Sequence, residues 1–197
     1  MNKKKSLNAD YFKDVYDAQD DPWNFETSPY EAEKYQATIA ALSHDTYNKG
    51  WEVGCSIGVL TEKLANKCNQ LLATDVSSKA LQKAAERNEK HPNITFQLMS
   101  FPNEWPAHKL DLIIISEVAY YLSRDAWTEA ASKVVKALNQ GGHVVLVHWL
   151  PEVPDYPQTG DEVHEIFEEI VKNEMINIHS SREKNYRIDV WEISSGA

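Results

Sequence analysis

The chain is short of cysteine, of glycine and of unbroken apolar stretches, and each shortage excludes something. Two cysteines among 197 residues, Cys55 and Cys68, supply neither a disulfide framework nor a zinc cluster. Seven glycines and eight prolines exclude a collagen-like or low-complexity chain. The longest apolar runs, such as Leu110–Ile115, fall far short of the roughly 20 residues a membrane-spanning helix needs. Lys3, Lys4 and Lys5 have the charge of a secretory leader's start, but the polar residues 6–10 follow where its apolar stretch belongs. Positive charge is scarce too: 20 Lys and Arg against 30 Asp and Glu leave a formal net charge of −10. That balance argues against nucleic acid and against anionic membrane as partners. No His and carboxylate cluster stands at metal-ligand spacing, so no metal is expected. What is left is a cytoplasmic protein whose 42% of apolar residues suffice for one sizeable core.

Two stretches differ in character. Residues 1–45 are aromatic-rich and read as an N-terminal helical cap, with Ala32, Tyr35, Ile39 and Leu42 spaced for one helical face. Asp21-Pro22 reads as a helix start or tight turn. Residues 46–197 alternate short apolar runs with amphipathic stretches and read as the main domain. Strands are expected at Trp51–Val53, Leu71–Thr74, Ile94–Leu98, Leu110–Ile115 and His143–Val147, the fourth apolar enough to be central. Between them fall helices at Val59–Cys68, after a cap at Ser77 or Ser78, and after a cap at Ser123, the last ended by Gly141-Gly142. Val163, Ile166, Phe167, Ile170 and Val171 make a further helix face. Met175–His179 and Tyr186–Ile193 close the chain as a hairpin. This alternation predicts an α/β fold with a doubly wound, mostly parallel sheet.

In such a sheet, ligands bind beyond the carboxyl ends of strands. The first strand-to-helix turn is Glu52-Val53-Gly54-Cys55-Ser56-Ile57-Gly58. The dinucleotide fingerprint would place glycines at 54, 56 and 59, and only Gly54 fits, since Ser56 and Val59 take the others. Asp75 follows Gly54 by 21 residues and closes the second strand, where a carboxylate accepts both hydroxyls of a ribose. Glu52 makes the spacing E-x-G-x-S-x-G, closer to the E-x-G-x-G-x-G pattern than to the dinucleotide fingerprint.

Glu52–Gly58, Asp75, Asp111–Val118 and Leu138–His143 resemble the successive signature segments of class I S-adenosylmethionine (SAM) methyltransferases. Asp21–Phe25, Ser28–Tyr35 and the run His148–Leu150 followed by Asp155–Glu165 resemble, more narrowly, the nodulation protein S family of N-methyltransferases. The resemblance spans about residues 10–193. It implies a Rossmann-like, seven-stranded sheet with an antiparallel C-terminal hairpin, helices on both faces and an N-terminal lid. It also implies SAM as cofactor, S-adenosylhomocysteine as product and a small-molecule acceptor. Glu52, Gly54, Cys55, Ser56 and Gly58 would surround the methionine part, Asp75 would hold the ribose and Val76 would cover the adenine. Ser100 and Phe101 would line the adenine edge, and Ser116 and Glu117 would face the sulfonium. Two departures from the family pattern stand out: Ser56 replaces a glycine, and Ser100 stands where many relatives carry an acid.

On the acceptor side, an amine must present its lone pair, and Glu117 and His148 are the candidate bases, both placed at strand ends. Tyr120, Tyr121 and Trp149 are candidate pocket walls. Trp23, Tyr30 and Lys34 of the cap are candidates to fold over the SAM carboxylate. Each has a plainer reading: Gly54 and Gly58 as packing glycines, Asp75 as a helix N-terminal acid, Cys55 as a small core residue, His148 as packed beside Trp149, and the tyrosines as core. Ser116–Ala119 lacks the Asn/Asp-Pro-Pro-aromatic arrangement used on planar amino groups. The acidic stretch from Pro151 onward suits a cationic acceptor or simply a solvated helix face. The expected activity is therefore N-methylation of an amine such as an amino sugar. The competing readings are O-methylation of another small molecule and a SAM-binding module without catalysis.

Overall fold

The computed structural model describes residues 4–194. These form two compact units, residues 8–105 and residues 106–194, with residues 4–7 belonging to the second.

The first unit opens with helix α1, Ala9–Ala18, capped by the Asn8 side chain on the Tyr11 N–H. A turn follows in which the Asp21 carboxylate accepts from the N–H groups of Phe25 and Glu26, so Asp21-Pro22 starts a turn rather than a helix. Helix α2, Pro29–Ala40, starts at Ser28 with proline in its first turn. Its buried face is only partly the expected one: Tyr35 is buried, as is Leu42 just beyond the helix. Glu31, Lys34, Tyr35 and Thr38 point inward, while Ala32 is exposed and Ile39 half-buried. A buried Lys34–Glu31 ion pair at 2.9 Å makes that polar face tolerable, and apolar periodicity alone does not register it.

Strand β1, Tyr47–Val53, pairs in parallel with β2, Cys68–Asp75, and β2 pairs in parallel with β3, Ile94–Leu98. Helix α3, Val59–Leu64, is shorter than the expected Val59–Cys68, because Cys68 already pairs with Tyr47 at the start of β2. The Asn93 amide fastens that break by donating to the carbonyls of Ala65 and Cys68, each at 2.8 Å. Helix α4, Ser78–Arg87, is capped by Ser77 and turns Ala80, Leu81 and Ala84 inward.

The second unit holds β4, Leu110–Ser116, a 3-10 turn at Ala119–Tyr121, and α5, Arg124–Ala137, capped by Ser123. Strand β5, Leu138–Trp149, begins earlier than expected and takes in Gly141-Gly142. Leu138 leaves the helix to pair with Leu110, and the register shifts before Leu112 meets His143; Gly141, at φ 69°, lies inside that shift. Helix α6, Gly160–Val171, carries a capping box between Thr159 and Glu162. Strands β6, Met175–Arg182, and β7, Tyr186–Ile193, form the antiparallel hairpin, with β7 antiparallel to β5. The seven strands run in the order β3-β2-β1-β4-β5-β7-β6, the α/β sheet the sequence predicts. The central strand β4 is buried through its apolar run Leu112–Ile115, as a central strand of a mostly parallel sheet should be.

Two glycines are required by geometry. Gly58 has φ 80°, and a Cβ there would lie 2.9 Å from the Cα of Ala84 on α4. Gly160 opens α6 where a Cβ would strike the Trp149 carbonyl at the end of β5. Gly58→Ala combines left-handed strain with overpacking against helix backbone, so it should lower stability by about 2–4 kcal/mol in denaturant unfolding.

Candidate functional site

In the first unit the turn after β1 is built from residues with positive φ: Gly54 at 69°, Ser56 at 50° and Gly58 at 80°. Ser56 tolerates this region as a non-glycine residue at a cost of about 1–3 kcal/mol, which surrounding bonds must offset. Those bonds are present. Its N–H donates to Asp75 Oδ2 at 2.9 Å, and its hydroxyl accepts from the Tyr16 hydroxyl at 2.5 Å. The other Asp75 oxygen accepts from the Ser77 N–H at 2.9 Å. Asp75 thus joins the loop after β1 to the cap of α4, and α1 reaches the same loop through Tyr16. Burial raises the Asp75 pKa, and the N–H groups of Ser77, Ser56 and Val76 oppose the rise.

Glu52, on β1, is buried and accepts from the Thr61 hydroxyl at 2.6 Å. Burial lifts its pKa to about 8 against the Thr61 hydrogen bond, with the Asp75 charge adding to the rise. Cys55 packs with Ala73, Leu81 and Ala84, and burial pushes its thiol well above the usual range, which is the core role and not that of a nucleophile. Gly58 has its own packing reason against Ala84 and Asn88. Val76 is half-buried. Ser100 and Phe101 are half-buried after β3, with the Phe101 ring 5.9 Å from Trp51 and 5.3 Å from Trp105. An acid does stand beside Ser100: the Glu104 carboxylate accepts its N–H at 2.6 Å.

Of the cap residues, Trp23 packs edge-on against Tyr16 at 5.7 Å and belongs to the group around Tyr16, Ile57 and Ala80 that backs the loop. Lys34, 2% exposed, pairs with Glu31 on its own helix and lies 5.3 Å from the centre of the Tyr30 ring.

In the second unit, three successive residues of β5 hold the turn after β4. The Glu117 N–H donates to the Val147 carbonyl at 2.8 Å, the Ala119 N–H donates to His148 Nε2 at 3.2 Å, and the Trp149 N–H donates to Glu117 Oε2 at 3.0 Å. Glu117 itself sits at φ 58°, a second strained non-glycine position at a strand end. The Tyr120 hydroxyl donates to the same Glu117 oxygen. Burial, then the Glu117 charge, keeps Tyr120 a phenol and therefore a donor. Tyr120 stacks on Tyr156 at 4.9 Å, and Tyr121 meets Tyr156 edge-on at 4.8 Å. Ser116, half-buried, ends β4 just before this turn. Gln158 donates to the Leu122 carbonyl at 2.8 Å, and residues 4–7 tie on from the other end of the chain. The Leu7 N–H donates to the Tyr121 carbonyl at 2.8 Å, and Lys4 Nζ donates to the Tyr156 carbonyl at 2.9 Å.

His148 is fully buried and both its ring nitrogens are engaged, Nε2 by Ala119 and Nδ1 by His164 Nε2 at 3.1 Å. It holds the turn rather than offering a lone pair to an acceptor. Glu117, Tyr120, Tyr121, His148 and Trp149 are brought together here, whereas Glu52, Ser56, Asp75 and Trp23 cluster in the first unit.

The nodulation protein S (NodS) family model matches residues 6–149. The chain belongs to the NodS family. A curated member from Rhizobium tropici is 32% identical over 130 residues, covering 65% of this chain and 55% of its own length. The chain thus spans little more than half of that relative. The N-methyltransferase NodS from Bradyrhizobium japonicum WM9, solved with S-adenosyl-L-homocysteine, superposes with a TM-score of 0.83 at 24% identity, covering 96% of this chain and all of that one. At that identity the likeness shows the fold. Phosphoethanolamine N-methyltransferase 3 of Arabidopsis thaliana is 30% identical over 100 residues, 47% of this chain and 20% of its length.

Three residues that matter to these clusters, Tyr16, His164 and Asp189, carry no signal of their partners legible in the sequence. Tyr16 lies on a helix whose aromatic spacing was visible, but its partner Ser56 is 40 positions away. His164 and Asp189 are 25 positions apart on α6 and β7, and no local pattern links them.

The raised pKa of Glu52 has a consequence for stability. Folded, Glu52 keeps its proton up to about pH 8; unfolded, it releases it near 4.5. The folded state binds more protons in that window, so this group's contribution is full below about pH 4.5 and is lost as pH rises through about 8. Thermal unfolding at several pH values from 5 to 8.5 should show the wild type losing more stability toward high pH than Glu52→Gln. Equal slopes would mean that Glu52 is ionised throughout.

Proposed function

We propose that this chain is a SAM-dependent N-methyltransferase whose acceptor is an amine-bearing small molecule such as an amino sugar. The observation that carries the reading is the positive-φ loop Gly54–Gly58 bonded to Asp75 at the ends of β1 and β2, in a chain of the NodS family. A carboxylate has about four lone-pair positions. Ser56, Ser77 and Val76 take at most three on Asp75, which leaves capacity for a hydroxyl donor such as a ribose. The residues therefore fit the cofactor. Asp75 would hold the ribose, the 54–58 backbone with Glu52 the amino-acid end, and Val76, Ser100 and Phe101 the adenine, with Trp23 backing the loop. Tyr30 and Lys34 on α2 would close the mouth of that site.

Bound there, SAM supplies a methyl group activated by a sulfonium. What remains for the protein is alignment, water exclusion and the acceptor's proton. A protonated amine has no lone pair to attack with, so its proton must leave first. Glu117 is the group assigned to take or steer it. Its carboxylate is fixed by the Trp149 N–H and by Tyr120, so its orientation costs little to hold during reaction. Tyr120, Tyr121 and Trp149 would form the acceptor walls.

Calorimetry with SAM and S-adenosylhomocysteine, followed by mass spectrometry of an amine panel containing glucosamine oligomers, tests the reading. Binding with a methylated amine supports it, and binding without any turnover overturns it in favour of a SAM-binding module. Glu117→Gln should lower turnover on the best amine by about 100-fold while leaving SAM affinity within about twofold. Unaltered turnover would remove Glu117 from the mechanism.

A further inference from the structure

His148 does not end the hydrogen-bond chain that begins at the Ala119 N–H. His148 Nδ1 lies 3.1 Å from His164 Nε2, and His164 Nδ1 lies 2.7 Å from Asp189 Oδ2. Asp189 in turn accepts from the Ser180 hydroxyl at 2.6 Å and faces Arg187 at 2.7 Å. His148, His164 and Asp189 are all fully buried.

The proton positions follow from the ends inward. At one end a backbone N–H can only donate, so His148 Nε2 is an acceptor and the ring proton sits on Nδ1. At the other end Asp189 is a carboxylate: burial opposes its ionisation, but the hydrogen bonds from His164 and Ser180 and the Arg187 charge outweigh that and hold its pKa below the usual range. His164 therefore donates from Nδ1. One assignment then satisfies the middle contact, His148 Nδ1–H donating to a bare His164 Nε2. Both imidazoles are neutral and carry the same tautomer. A second proton on His164 would set two N–H groups against each other, relieved only if His148 moved its proton to Nε2 and lost Ala119.

We propose that His164 and Asp189 are positioning residues that lock the tautomer of His148 and thereby hold the Glu117–Tyr121 turn in its working geometry. The proposal rests on the reading of Glu117 given above, but the tautomer lock itself does not. The consequence is a turn that loosens on acidification. Burial lowers the His164 pKa, with Asp189 opposing and Arg187 adding to the fall. The titratable and charged groups facing the chain are Asp189 and Arg187 of β7, Asp161 on α6 itself, and Tyr120, whose ring lies 5.3 Å from His148. Glu117 joins them through Tyr120, and β6 contributes the neutral Ser180. Folded His164 binds fewer protons than unfolded His164 below its ordinary value of 6.5, so the chain is intact near neutrality and is lost as pH falls through the lowered value.

The direct test is imidazole nitrogen NMR on the intact chain, with His148→Gln and His164→Gln used to assign the two rings. At pH 7.5 both rings should be neutral with the proton on Nδ1. A charged His164, or His148 protonated on Nε2, overturns the proposal whether or not any amine is methylated. The functional test compares the pH profile of turnover with that of S-adenosylhomocysteine affinity. Any amine acceptor loses its lone pair in acid, so the informative quantity is the difference between proteins. His148→Gln keeps a side-chain acceptor for Ala119 that does not titrate, and its acid-side fall in turnover should be shallower than that of the wild type. His164→Phe should lower turnover about tenfold at pH 7.5 with S-adenosylhomocysteine affinity unchanged. Identical acid limbs in wild type and His148→Gln overturn the positioning role; loss of SAM binding in the wild type would instead overturn the functional reading. Should His164→Phe fail to fold, the wild-type spectra and His148→Gln still decide the matter.

Discussion

The carboxylate of Asp75 is the fastening on which the first unit depends. One oxygen holds the Ser56 N–H and the other the Ser77 N–H, so the loop after β1 and the start of α4 share one anchor at the end of β2. Without it Ser56 would lose the bond to its N–H that helps offset its positive φ. The Tyr16 hydroxyl reinforces the same loop from α1. A helix that reads from sequence as part of an N-terminal cap is thereby part of the loop's support, with Trp23 packed beside it.

The second unit solves a similar problem differently. There the strained residue is Glu117, and the anchor is not one carboxylate but three consecutive groups of β5: a carbonyl, an imidazole and an N–H. Placing Gly160 directly against Trp149 lets α6 come close enough for His164 to meet His148. The Thr159-Gly160-Asp161-Glu162 segment acts at the start of α6 itself. Its Thr and Glu form the capping box, and its Gly sets the approach of the helix.

Much of the strand and helix plan was legible because it is local. β3 matches its expected limits, Ser123 caps α5 as expected, Ser77 is the one of two candidate serines that caps α4, and the apolar run of β4 marks it as central. Two differences from expectation share one cause, competition between local signals and pairing at a distance. Cys68 fits a helical face but is claimed by Tyr47 across the sheet, and Leu138 continues a helical stripe but is claimed by Leu110. The inner face of α2 was only partly placed because Lys34 and Glu31 look solvated until they are seen neutralising each other.

By itself the sequence determined the class of fold, the loop from Glu52 to Gly58 and the matching acid at 75, because spacing along a strand-turn-helix unit is set by bond lengths and strand rise. It also carried enough of the family's segments to place the chain among NodS proteins. Only the tertiary structure decided what the polar residues do. Whether a histidine is a base or a brace depends on which groups face its two nitrogens, and for His148 these are Ala119 and His164, drawn from other elements. Hydrogen bonds have direction and reach of about 3 Å, so their partners follow from packing and not from distance along the chain.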